Sequence, residues 1–115
     1  MQHASDAAWM KTVNGTARGG LAEAGFMVDY RDGKISIANW RDSVNGDGKP
    51  NALTFPPDGD AIAIVHVHGN NALPTPSPGD RNPTTLIPDF VRSQRSVYVT
   101  IPNSGTPLND YVQVQ

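Results

Sequence analysis

Residues 66 to 68 read His66-Val67-His68. On an extended strand the side chains at i and i+2 project to the same side, so both imidazoles can converge on one ion about 2.0–2.1 Å from each ring nitrogen. The chain has no cysteine, so any transition metal must be held by nitrogen and oxygen. After Gly69 the chain turns into a loop containing Ser77-Pro78-Gly79-Asp80, where Asp80 can supply a third ligand. Zinc with three protein ligands keeps a fourth position for water, the arrangement of a catalytic site, and lowers that water's pKa to about 7. Hydrolysis then needs a carboxylate to carry the proton from the water to the leaving amine. Glu23, the only glutamate, is the candidate acid/base, and Ala24 and Gly25 beside it leave room for close approach.

Each piece taken alone has a plainer reading. A His-x-His pair fits one buried and one exposed histidine, Ser-x-x-Asp fits a turn capped by aspartate, and a single glutamate fits a solvated surface. The order Glu23, His66, His68, Ser77, Asp80 along one chain favours a site.

Positioning these residues requires a sheet. Phe26, Val28 and Tyr30 alternate with Met27, Asp29 and Arg31, and beyond Asp32-Gly33 the alternation resumes through Ile35 and Ile37 to Trp40. This predicts a β-hairpin closed by a type I′ turn, because Asp-Gly tolerates the positive φ angles such a turn demands. Residues 61 to 68, Ala-Ile-Ala-Ile-Val-His-Val-His, are apolar on both faces and predict a central strand, with Ile62, Ile64, His66 and His68 sharing one side. Val97, Val99 and Ile101 predict a further strand, and Tyr111, Val112 and Val114 its return partner after the Asn103-Ser104-Gly105 turn.

Two helices are expected. Ser5 can cap one whose ragged apolar face is Ala8, Trp9, Val13 and Ala17, and Leu86, Ile87, Phe90 and Val91 suggest a short one over residues 84 to 93. Trp9 and Trp40 read as packing residues. Residues 41 to 60 read as a long connection, with one short extended piece around Leu53 to Phe55. Ser43 to Lys49 imitates a calcium loop but has Ser43 for the first Asp and Thr54 for the acidic twelfth ligand, so it reads as a Gly/Asn-rich turn.

At 115 residues the chain forms one domain, residues 1–115. A net charge of -2 and the lack of a dense Lys/Arg patch argue against nucleic acid as partner. No apolar run approaches the roughly 20 residues that span a bilayer, and the N-terminus lacks a basic segment followed by an apolar one.

The ordered residues resemble the JAMM (MPN, or JAB-like) zinc metallopeptidases, whose motif is an upstream Glu, then His-x-His, about seven residues, and Ser-x-x-Asp. Glu23, His66-Val67-His68 and Ser77-Pro78-Gly79-Asp80 follow that order. The resemblance is closer still to the small bacterial JAB-like domains at the ends of Rhs-type polymorphic toxins, and it spans about Ala7 to Gly105. Eight residues rather than seven separate His68 from Ser77, and Val67 stands where Ser or Thr is usual.

This resemblance implies an α/β fold, a small mixed β-sheet flanked by helices in the JAMM or cytidine-deaminase-like architecture. It also implies Zn2+ on His66, His68 and Asp80, Glu23 as general acid/base, and Ser77 as a hydrogen-bond donor to the oxyanion. The implied reaction is hydrolysis of a peptide or isopeptide bond in a peptide or protein substrate. A larger toxin polypeptide and an immunity protein as partner would follow from the same likeness. The other readings are a non-catalytic binding module of the same fold, and a hydrolase of another amide, such as a muropeptide or a protein side chain.

Overall fold

The computed structural model describes residues 23–43, 55–68, 74–93 and 95–115. The alternating segment folds as the predicted hairpin, β1 (Glu23–Arg31) against β2 (Lys34–Ser43), antiparallel. Asp32 and Gly33 take φ values of 53° and 77°, the pair of positive angles that lets a two-residue turn follow the strand twist. One extra residue enters β2 between the pairs Met27↔Ala38 and Gly25↔Arg41. Asn39, at φ 53°, lies in that bulge, a conformation asparagine tolerates better than most residues. Beside the bulge the Trp40 ring stacks on Phe26, with centroids 5.8 Å apart and planes 3° from parallel.

The apolar run becomes β3 (Ala61–Val67). It is followed in the chain by β4 (Asp89–Arg92), β5 (Val97–Ile101) and β6 (Asp110–Gln113). All six strands form one sheet in the order β2-β1-β3-β4-β5-β6, so β3 is central as its composition predicts. Every neighbouring pair is antiparallel except β3 and β4. Two parallel neighbours cannot be joined by a tight turn, so the long segment after β3 must return to the start of β4. That return carries Ser77 and Asp80.

Register sorts the side chains into two faces. The pairs Phe26↔Val65 and Val28↔Ala63 place the buried residues Phe26, Val28, Ala63 and Val65 together, with Phe90 packed against them. Burying a side chain such as Phe26 contributes about 1.5–3 kcal/mol. The pairs Gly25↔His66 and Met27↔Ile64 belong to the opposite face.

The expected α/β class is not what forms. The described residues make a small mixed β-sheet without a helix. Residues 84 to 93, expected as a helix, instead leave a turn and enter β4. Asn82 makes that turn by accepting hydrogen bonds on its side chain from the Thr84 N–H (3.0 Å) and on its carbonyl from the Thr85 N–H (3.0 Å). Pro88 has no N–H to give a helix, but its carbonyl accepts the Ile64 N–H at 2.9 Å at the mouth of β4. Phe90 and Val91 then pair with Val65 and His66 on one side and with Val99 and Tyr98 on the other. The spacing of Leu86, Ile87, Phe90 and Val91 suits a helix, yet Leu86 is exposed and Val91 is fully buried, so no common apolar face exists. The expected N-terminal helix and the calcium-like segment from Val44 onward lie outside the described residues.

Candidate metal centre

β3 carries His66 near its end, and His68 follows it directly. Two residues apart in extended chain, both rings lie on one side, and both are buried. The plainer sequence reading, with one histidine exposed, does not hold. Gly25 lies opposite His66, where an added Cβ would stand 2.6 Å from the Val65 carbonyl oxygen and 2.8 Å from the His66 Cβ. A glycine is needed for β1 and β3 to approach there.

The third member arrives on the return loop. The Asp80 carboxylate accepts the Ser77 N–H at 2.8 Å, and the Ser77 hydroxyl accepts the Asp80 N–H at 3.3 Å. The Ser-x-x-Asp segment is thus a reciprocally capped turn. Its carboxylate nonetheless reaches beyond the turn, with Oδ2 3.3 Å from Nε2 of His66 and 3.3 Å from Nε2 of His68. The two Nε2 atoms are 3.1 Å apart.

These three atoms form a nearly equilateral triangle. Four ligands placed tetrahedrally at 2.0–2.1 Å from zinc are about 3.3 Å from one another, so the triangle has the size of one face of a zinc tetrahedron. His66, His68 and Asp80 are the group among the described residues whose ligand atoms converge in this way. The donor set of two imidazole nitrogens and one carboxylate oxygen suits Zn2+, which takes both ligand types.

The side chains of the cluster also shift one another's protonation. Burial pulls the His66 imidazole down, but the charges and hydrogen bonds of Asp89 and Asp80 overcome it and hold His66 well above the usual histidine range. Burial pushes Asp80 up, but hydrogen bonds to His66 and His68 outweigh it and keep the carboxylate ionised far below its ordinary range. The two carboxylates thus favour positive charge on His66, and the histidines favour negative charge on Asp80.

Asp89, which no local pattern in the sequence singles out, lies behind His66. Its Oδ1 is 2.7 Å from His66 Nδ1. It comes from the segment expected to be helical, and the parallel β3–β4 register brings it there.

Downstream of Asp80 the loop is clamped to the sheet. Arg81 Nε donates to the Asn109 carbonyl at 2.7 Å, and the Asn109 N–H donates to the Arg81 carbonyl at 2.8 Å. The Asn109 side chain donates to the Asn82 carbonyl at 3.1 Å, and the Arg81 guanidinium lies 4.8 Å from the Tyr111 ring centre. These contacts tie the loop carrying Asp80 to the start of β6.

The two remaining sequence candidates differ in status. Ser77 is exposed, in the turn that presents Asp80. Glu23 opens β1, its backbone paired with Ser43 and one residue from the Ala24↔Val67 pair, at the end of β1 that borders the His66 end of β3. Comparison with family models, curated sequences and solved structures finds no match for this chain. The likeness to JAMM metallopeptidases therefore rests on the order of the motif residues in the sequence.

Proposed function

We propose that this protein is a zinc-dependent hydrolase of a peptide or isopeptide bond, with the ligand set of the JAMM metallopeptidases carried on a β-sheet. The convergence of His66 Nε2, His68 Nε2 and Asp80 Oδ2 within 3.1–3.3 Å of one another is the observation that supports this reading. Zinc bound there would supply Lewis acidity, lowering the pKa of water and polarising the scissile carbonyl.

The remaining work falls to side chains. The Glu23 carboxylate accepts the proton of the attacking water and returns it to the departing amine, because amine expulsion requires protonation. Ser77 Oγ already accepts the Asp80 N–H, which leaves its own hydrogen free to donate to the oxyanion. Asp80 stays ionised, as a ligand oxygen must.

The test has two parts. Elemental analysis of the purified protein is expected to give one zinc per chain, and absence of zinc uptake on reconstitution sinks the proposal. Glu23→Gln is then expected to keep the zinc and to lose about 10²–10⁴-fold in hydrolysis of peptide or isopeptide substrates. Unimpaired turnover in that variant removes Glu23 from the mechanism.

A further inference from the structure

Resting on the zinc reading above, we propose that Asp89 is a positioning residue of this metal centre: it fixes the ring orientation and tautomer of His66 so that Nε2 is the nitrogen offered to the ion.

A neutral imidazole has one N–H and one lone pair, and its two nitrogens differ only through what each one meets. At His66 they meet different things. Nδ1 lies 2.7 Å from Asp89 Oδ1, whereas Nε2 faces His68 Nε2 at 3.1 Å and Asp80 Oδ2 at 3.3 Å. A carboxylate only accepts, so Nδ1 must carry the hydrogen and Nε2 is left with its lone pair toward the ligand triangle. The opposite tautomer would place two lone pairs against each other at the Asp89 contact and a hydrogen where the ion must sit.

Asp89 is itself firmly placed. It is buried, it pairs with Ile64 in the parallel β3–β4 ladder, and its N–H donates to the buried Thr100 hydroxyl at 3.0 Å. Water cannot easily exchange into such a contact, and in the low-dielectric interior the bond is stronger than it would be at the surface. A charged carboxylate behind a ligand histidine also raises the basicity of the ligating nitrogen. His68 differs in that its N–H is held by the Arg92 carbonyl at 2.9 Å, so backbone pairing extends one residue past β3 and steadies the second ligand from the main chain.

The experiment measures zinc affinity by competition with a chromophoric chelator for the wild type and Asp89→Asn, alongside 15N NMR of the zinc-loaded wild type. We expect the His66 proton on Nδ1 in the wild type. Asp89→Asn is expected to bind zinc about 10–100-fold more weakly, the usual cost of losing such a partner, and to shift the visible bands of its Co2+-substituted form. A merely structural role would lower the melting temperature and leave the tautomer and the Co2+ spectrum alone. A proton on Nε2 in the wild type, or unchanged zinc affinity in Asp89→Asn, overturns the proposal. The NMR measurement needs no variant, so it decides the matter even if Asp89→Asn does not fold. A wild type that takes up no zinc overturns the metal reading and this role with it, whereas zinc bound equally by wild type and variant overturns the role of Asp89 alone.

Discussion

Carboxylates gather at both ends of β3, and the two gatherings behave differently. At its start, Asp58 and Asp60 stand near Asp29 and Arg31; at its end, Asp80 and Asp89 stand around His66 and His68. At the first end the acids are satisfied locally. Arg31 Nε donates to Asp60 at 2.9 Å, the Asp60 N–H donates to Asp58 at 3.0 Å, and Asn39 donates to Asp58 at 3.1 Å. The Arg31 side chain is 70% exposed, so water and salt screen its pairing. A hydrogen bond between them pushes Asp29 up and holds Asp58 down.

At the second end both histidines and Asp89 are buried, and three ligand atoms face one point. Neighbouring carboxylates alone therefore do not define a site. Convergence of lone-pair-bearing atoms in a buried place is what marks a candidate.

The strongest way to break this contrast is to delete a ligand. His66→Ala or Asp80→Ala is expected to weaken zinc binding by more than the roughly 10–100-fold typical of outer partners, read by chelator competition. Near-normal affinity in either variant would make the triangle incidental.

Acidity gives a graded test of the same end. His66 is held well above its ordinary pKa in the metal-free protein, so zinc must displace a proton from it. Apparent zinc affinity is expected to fall as pH drops below the His66 pKa, by about tenfold per pH unit for one displaced proton. A pH-independent affinity across that range would contradict His66 as a ligand.

Gly25→Ala tests the strand approach that seats His66. The added methyl would meet strand backbone at 2.6 Å and the His66 Cβ at 2.8 Å, neither of which can swing away. A loss of about 1–3 kcal/mol of stability is expected, read by denaturant unfolding, together with weaker zinc binding. The smallest effect belongs to the other end of β3. Arg31→Ala is expected to leave zinc affinity unchanged and to lower the melting temperature only slightly, because the pair it breaks is screened by water. A large loss of zinc binding there would show that the two ends are coupled.

Much of the sheet was legible in the residues. Alternation from Phe26 to Trp40 around Asp32-Gly33 predicts the hairpin, and the apolar run from Ala61 predicts a central strand. The site was partly legible too, since His-x-His parity and the Ser77–Asp80 turn both follow from local geometry. Residues 84 to 93 were misread because four apolar residues in six positions satisfy a helical spacing as well as a strand. The backbone partners of β3 and β5, far away in sequence, chose the strand. Asp89 was invisible for the same reason, and so was the Asn109 clamp on Arg81, which joins residues 28 positions apart.

The sequence by itself determined which side chains could share a face and where the chain must turn, because strand alternation and turn chemistry act over a few residues. Only the tertiary structure decided that Asp80 reaches both imidazoles and that Asp89 stands behind one of them. Those meetings depend on a parallel pairing of β3 with β4, and a register closed through a long return loop leaves no local trace in the residues it brings together.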